Sequence, residues 1–327
     1  MVRKLQAILF SGLINARKRL SGKGIGNTFP GTQAIYELLF RFFWPNKNVV
    51  EVQGSKMYVD VFDPDPSMRR TFRAYALSRV HEESTTNLFR NIVKEGDVVV
   101  DLGANVGYFT LLAAKLVGSK GKVYSFEPEP RNYGYLLKNI QLNGYDHVIA
   151  SQKAVADRPG TVKLFFCRYD TGHHTIQKYD GIQAYRPDFV DVMKEFVEVE
   201  QVSLDDYFKG IMTPVNVIKM DVEGAEMLAL AGMEQLIKRN KNLVMLIEFF
   251  PLLIREMGQP PEEFARRLLE DFHFTVSVVE HDYSMDKVFS EGHLRISSVD
   301  QLMRLCTERN AHLNLYLEKS GTNGPSL

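Results

Sequence analysis

The stretch Val98-Val-Val-Asp101-Leu-Gly103-Ala104-Asn105-Val-Gly107-Tyr108-Phe-Thr110 reads as a β-strand that ends in a carboxylate and breaks into a glycine-punctuated turn. Val98 to Val100 form a continuous β-branched run, the pattern of a strand covered on both faces in a parallel sheet. Asp101 therefore stands at the strand's carboxyl end, the edge where open α/β sheets bind ligands. Gly103 and Gly107 let the backbone approach a ligand and take positive φ. Val106, Phe109, Leu112, Ala113 and Leu116 follow at helical spacing, so the turn joins a strand to a helix and is expected to hold a nucleoside.

The glycine pattern selects among nucleosides. A dinucleotide fingerprint requires glycine at 103, 105 and 108, whereas this chain has Asn105 and Tyr108, which disfavours a nicotinamide-dependent oxidoreductase. A turn led by a carboxylate suits a ligand carrying an ammonium group, and S-adenosylmethionine (SAM) has one. Lys122-Val-Tyr-Ser-Phe-Glu127 reads as the next strand, and Glu127 ends it 20 residues after Gly107. An acid in that position can accept both ribose hydroxyls. Alone, Asp101 would pass for a helix cap and Glu127 for a solvated strand end; at this spacing, with the glycine turn, they form one site.

The 327 residues and 45% hydrophobic content suffice for one large domain with extensions. Net charge is zero, so nucleic acid is not an expected partner. Charge is unevenly spread: residues 1–50 hold eight Lys or Arg against Glu37. Leu5 to Ile14 is too short to span a bilayer, and it runs into Arg17-Lys18-Arg19 without a small-residue cleavage site, so no cleaved signal peptide is read. Residues 33–43 look like an amphipathic helix, with Ile35, Leu38, Leu39, Phe42 and Phe43 on one side. Two partners fit that helix: the domain itself, or a membrane surface contacted peripherally through the basic N-terminus. Only Cys167 and Cys306 occur, which excludes a disulfide framework and a cysteine-ligated cluster and agrees with a cytoplasmic, optionally membrane-associated, protein.

Four regions are expected: a basic extension over 1–47, an added β-hairpin and connection over 48–81, the core domain over 82–319, and a disordered tail over 320–327. Within the core, strands are read at 97–101, 122–127, 147–154, 215–220, 243–248, 274–280 and 313–318, with helices between them. The result is a seven-stranded, mainly parallel sheet with helices on both faces. The polar stretch 168–195, between runs at 161–167 and 196–202, is long for a simple loop and is expected to help form the substrate pocket.

A second constellation is Val217-Ile218-Lys219-Met220-Asp221-Val222-Glu223-Gly224-Ala225-Glu226: a strand, a carboxylate at its end, a glycine, and a helix start. Lys219 and Asp221 share one face by strand alternation. Three readings compete: substrate orientation with acid–base work, a divalent-metal site from Asp221 with Glu223 or Glu226, and a structural ion pair. The first is preferred, with no metal assigned.

With these motifs in view, residues 82–280 resemble the FkbM-type family of SAM-dependent methyltransferases. The resemblance rests on Gly96-Asp97 through Thr110, on Phe126-Glu127-Pro128-Glu129-Pro130, on Lys138-Asn139 through Asn143-Gly144, and on Ile218-Lys219 through Glu226. It implies the Rossmann-like class I methyltransferase fold, with SAM as cofactor held by Asp101, Gly103, Ala104, Asn105, Gly107, Tyr108, Glu127 and Pro128. Glu82 opens Glu82-Glu83-Ser84-Thr85-Thr86, which resembles the family's Glu-Pro-Glu-Thr-Thr, and it carries over as a cofactor contact. Val155 and Asp157, in the stretch 154–157, are expected near the adenine. Gly172-His173-His174 resembles a Gly-Asp-His element with His173 in place of Asp.

The expected reaction is methylation of a hydroxyl on a glycan, a lipid-linked saccharide or a small natural product. Such a transfer needs positioning and the removal of one proton. His174 is one base candidate; Asp221 assisted by Lys219 is the other. Glu248, ending Leu246-Ile247-Glu248, together with His173 and Glu223, is expected on the acceptor side. The alternative is a non-catalytic SAM-binding or membrane-recruited scaffold.

Overall fold

The computed structural model describes residues 41–42, 44, 48–78, 80–167, 171–176, 195–279, 294–309 and 313–319. The basic extension up to residue 40, nearly all of the 33–43 helix, residues 177–194 of the polar insert and the 320–327 tail lie outside the described residues.

The first described strands form an antiparallel hairpin, β1 (Val49–Val52) with β2 (Ser55–Tyr58), turning through Gln53 and Gly54. Helix α1 (Pro66–Ser78) follows. Its start is fixed by Asp65, which accepts bonds from the Ser67 and Met68 backbone amides, as an N-cap does. The sequence reading treated 48–81 as hairpin and connection and so passed over this helix. Met68, Phe72, Tyr75 and Ala76 carry its buried face, but two prolines and three arginines break up the visible apolar pattern. Helix α2 (Glu83–Ile92) leads into β3 (Val98–Leu102), which is buried along its length.

From there strand and helix alternate: α3 (Tyr108–Val117), β4 (Lys122–Phe126), α4 (Pro130–Asn143), β5 (Val148–Ser151). Next come β6 (Ala154–Val155), β7 (Gly160–Phe165) and β8 (Phe196–Val202), which form a separate three-stranded sheet in the order β6-β8-β7. The single strand expected at 147–154 is thus two strands in different sheets, with Gln152 and Lys153 at the break. The main pattern resumes with β9 (Val217–Met220), β10 (Val244–Phe249), β11 (Phe274–Val278), β12 (Leu294–Ile296) and β13 (Leu313–Lys319).

Among the described residues the main sheet has eight strands in the order β12-β11-β13-β10-β9-β3-β4-β5. Strands β5, β4, β3, β9 and β10 pair in parallel, while β13 is antiparallel to both β10 and β11. This is the α/β class I methyltransferase arrangement, with one more strand than the seven expected. The extra strand, β12, is three residues at the edge, too short to show a periodicity.

Strand order reverses between β3 and β9, and the carboxyl ends of these neighbours open the crevice where such sheets bind ligands. Alternation divides the strand side chains. Val98, Val100, Leu102, Ile218, Met220 and Ile247 enter one hydrophobic core; Val99, Val217 and Leu246 enter the other, beneath α2, α3 and the hairpin. By the same parity Asp101, Lys219, Asp221 and Glu248 fall on the second face, at its carboxyl edge. No described helix is long and apolar enough to cross a membrane.

Candidate active site

The turn after β3 is shaped by its own residues. Gly103, Asn105 and Gly107 all have positive φ, at 78°, 51° and 101°. Gly103 admits no side chain, because a Cβ there would lie 1.8 Å from the carbonyl oxygen of Asp221. That close approach locks the first turn against the end of β9, and the Asp221 amide donates to the Leu102 carbonyl at 3.0 Å. Asn105, a residue tolerant of left-handed backbone, accepts from the Val106 amide at 2.7 Å through its side chain.

Glu127 ties this turn to the end of β4. One carboxylate oxygen accepts from the Asn105 amide at 2.7 Å and the other from the Glu129 amide at 2.9 Å. The group is almost fully buried, and burial pushes its pKa up to about 8 despite those amides. Asp101 is also buried; its carboxylate accepts from the Thr110 hydroxyl at 2.6 Å. Burial raises its pKa as well, opposed by the nearby Lys219 ammonium.

Lys219 is the electrostatic centre of the second half. It is the register partner of Asp101 across β3 and β9 and donates to Asp221 at 2.9 Å. Its ammonium sits 4.6 Å over the Phe109 ring. Burial alone would lower its pKa, but Asp221, Glu82 and Asp101 around it raise it, so it stays charged. Asp221 is held at about 2: burial pushes up, and Lys219 more than offsets that. Glu248, one strand over, is hydrogen-bonded to Asp221, and burial together with the Asp221 and Glu223 charges drives its pKa far up. Within the Asp221–Glu248 pair, burial and the neighbouring charges favour the neutral form of Glu248 beside an ionised Asp221.

Asp221, Glu223 and Glu248 can each bring an oxygen within 4.8 Å of the others, a spacing that could seat an oxygen-ligated divalent cation. Glu226, the other acid weighed for such a site, points elsewhere: it accepts from the Gly224 amide at 3.0 Å and does not line the cavity.

One cavity of about 560 Å³ brings these groups together, within the range of small-molecule sites. Asp101, Gly103, Ala104, Asn105 and Tyr108 line it from β3 and α3, and Glu127 and Pro128 from β4. Glu82, Val155, Lys219, Asp221, Glu223 and Glu248 complete the wall. Gly107 does not line it but caps α3, where its Cβ would meet Leu136 at 2.8 Å. Asp157 is a correction. It lies beyond β6, outside the cavity, with its carboxylate on Arg158 at 3.1 Å, because the break after Ser151 hands only Lys153 to Val155 to the pocket.

The described part of the insert, residues 171–176, closes one side. Thr171 is anchored to Thr71 at 2.9 Å and by its carbonyl to Asn132 at 3.3 Å, and Thr175 donates to the Glu223 carbonyl at 2.9 Å. His173 and His174 line the cavity. The Nδ1 of His174 accepts from the Cys167 amide at 3.0 Å, so in the neutral ring the proton sits on Nε2 and the ring is set to donate rather than to take a proton. The cavity wall also includes His81, Tyr75 and Lys153, which the sequence reading did not single out. His81 directly precedes the quoted Glu82-Glu83-Ser84 entry, and that adjacency was the available signal.

Comparison with known proteins matches residues 101–285 to the methyltransferase FkbM domain. The chain is 30% identical over 169 residues to the 31-O-demethyl-FK506 methyltransferase FkbM of Streptomyces tacrolimicus, covering 43% of this chain and 61% of that protein. It is 26% identical over 201 residues to Methyltransferase 1 of Beauveria bassiana, covering 57% and 75%. Among solved structures, methyltransferase FkbM of Methylobacillus flagellatus aligns over 88% of this chain and 71% of that one, at 14% identity and a TM-score of 0.38. The matched domain takes in the turn after β3, the Glu127 strand end and the Lys219–Asp221–Glu248 group, and the chain belongs to the FkbM family of SAM-dependent methyltransferases.

Proposed function

We propose that the protein transfers the methyl group of SAM to a hydroxyl oxygen of a glycan, a lipid-linked saccharide or a small natural product. The observation that carries this reading is one cavity with two chemically distinct halves: a glycine turn framed by Asp101 and Glu127, and a charged group of Lys219, Asp221 and Glu248 at the adjoining strand ends. The first half fits SAM. Glu127 presents an acceptor at the end of the second strand for ribose hydroxyls, and Asp101 and Glu82 supply negative charge beside the turn for an ammonium group. Pro128 and Val155 offer apolar surface where the adenine is expected.

SAM supplies an electrophilic methyl on a sulfonium; the protein's own residues hold the acceptor in line and manage its proton. Lys219 and Asp221 form a fixed ion pair that orients an incoming hydroxyl, and protonated Glu248 can donate to a neighbouring oxygen of a polyol. A relative bears a name that specifies an O-methyl position, which agrees with an oxygen acceptor.

Isothermal titration tests the first half. SAM should bind the intact protein with one-to-one stoichiometry, and Glu127→Ala should weaken binding by roughly 10-fold or more, as expected for loss of the buried hydrogen bonds to the ribose. Unchanged affinity in both Asp101→Ala and Glu127→Ala would remove the assignment. Incubation with tritiated SAM and a cell extract, fractionated into lipid, glycan, protein and RNA, then shows which class carries the acceptor.

A further inference from the structure

We propose that His81, oriented by Glu82, is the catalytic residue that takes the proton from the acceptor hydroxyl as the methyl group is transferred. This rests on the methyltransferase reading and assigns the acid–base step within it.

Several other polar groups of the cavity are already engaged. Lys219 is an ammonium, and Asp221 is bound to it at 2.9 Å. Glu248 is hydrogen-bonded to Asp221. Both oxygens of Glu127 accept backbone amides. His174 spends Nδ1 on the Cys167 amide; the Nδ1 of His173 is buried with no hydrogen-bond partner, which makes His173 the rival base that the His173→Asn variant tests.

His81 differs in being both held and open. Its Nε2 lies 3.2 Å from a Glu82 oxygen, and the side chain is 39% exposed at the cavity wall. With Glu82 taking the Nε2 proton, Nδ1 is left as the lone-pair nitrogen. The ring is packed edge-on against Tyr75 and Tyr108, with centroids 5.7 and 5.6 Å away, and tilted on Phe109. Its backbone is pinned as well: the amide donates to the Tyr108 hydroxyl at 3.1 Å, and the carbonyl accepts from Thr86 at 2.6 Å.

Glu82 occupies the N-cap position of α2, where a carboxylate would ordinarily accept a backbone amide, and it makes no such bond. Its φ is 45°, a left-handed conformation that non-glycine residues rarely adopt. This conformation places the carboxylate on His81 instead. A histidine whose far nitrogen is fixed by a carboxylate is the usual form of a positioned general base.

The step balances within these groups. The acceptor oxygen forms a bond to the methyl carbon while the carbon–sulfur bond breaks, and that electron pair stays on sulfur to give a neutral thioether. The hydroxyl proton moves to Nδ1 of His81, and Glu82 stabilises the resulting imidazolium.

The charged and titratable groups facing His81 are Glu82 beside it, Lys219 and Asp221 at the end of β9, and Tyr75 and Tyr108 from α1 and α3. Burial lowers the histidine's pKa, but the Glu82 bond and charge outweigh it, so the net shift is upward from 6.5. Transfer should therefore rise with pH along a limb centred above 6.5.

The test uses the full chain, tritiated SAM and the extract fraction that the wild type labels. His81→Asn should keep SAM affinity by calorimetry, lower single-turnover labelling by roughly 10²-fold, and lose the rising limb. Glu82→Gln should move that limb to lower pH. His173→Asn should keep it. Labelling by His81→Asn at the wild-type rate, or with the wild-type pH profile, overturns the assignment, as does loss of the limb in His173→Asn alone. Failure of the wild type to bind SAM or to label any fraction would instead remove the methyltransferase reading itself.

Discussion

Glu226 shows how burial without a cationic partner shifts a residue's protonation. Its carboxylate is 1% exposed; one oxygen accepts from Gly224 and the other has no hydrogen-bond partner. Burial pushes its pKa up to about 8 from 4.5. Between those values the folded state binds more protons than the unfolded one, so the stability from this group is full at low pH and is lost as pH rises through about 8. Glu226→Gln keeps an acceptor for the Gly224 amide and removes the titration. The variant should gain on the wild type at pH 9 by on the order of 1–3 kcal/mol and by much less at pH 5, read as the difference in Tm between the two proteins by calorimetry. Glu127 titrates in the same direction, but it is common to both proteins and cancels from the comparison.

At the scale of elements, the hairpin and α4 are one unit because two asparagines join them. Asn139 is buried; its amide nitrogen donates to the Val106 carbonyl at 2.8 Å and its oxygen accepts from the Tyr58 amide at 2.7 Å. Asn143 repeats the pattern against both backbone groups of Lys56, each at 2.7 Å. These residues stand one helical turn apart on α4, so the spacing Asn139-Ile-Gln-Leu-Asn143 is a docking device for β2. Asn139→Ala leaves a buried amide and carbonyl unpaired and should cost about 2–4 kcal/mol, measured as a lower urea midpoint with an unchanged slope. Val106 lies within the turn after β3, so SAM affinity should fall with it, while Asn143→Ala, at the exposed end of the same interface, should be milder on both measures.

Across the whole molecule, what could be read from the chain was whatever local chemistry decides. Asp101, Gly103 and Glu127 were legible because a strand end, a positive φ and a fixed interval each leave a mark in sequence, and the mainly parallel pairing followed from the alternation of strand and helix. Glu248 was legible as a strand end, but its hydrogen bond with Asp221 required knowing that β10 lies beside β9. His81 carried only its adjacency to Glu82, since the role proposed for it depends on Tyr75 from α1 and Tyr108 from α3 meeting around one ring. Asp157 was misplaced because nothing in Ser151-Gln-Lys-Ala154 announces that the chain changes sheets there.

The same distinction governs how the molecule should respond to its cofactor. The cavity is walled by elements from residue 70 to residue 248, packed on both hydrophobic cores, so a ligand that bridges its wall ties the whole domain together. At a free SAM concentration 100 times its Kd, binding adds about 2.7 kcal/mol to unfolding, which for a domain of this size raises Tm by roughly 5–10 °C. Gly103→Ala should abolish that rise, because its Cβ at 1.8 Å from the Asp221 carbonyl oxygen forces the turn off the end of β9. A ligand-induced shift of wild-type size in Gly103→Ala would mean that the turn can move without loss of the site. A shift that disappears while far-UV circular dichroism stays native would place the coupling between the two halves of the cavity at this one backbone contact.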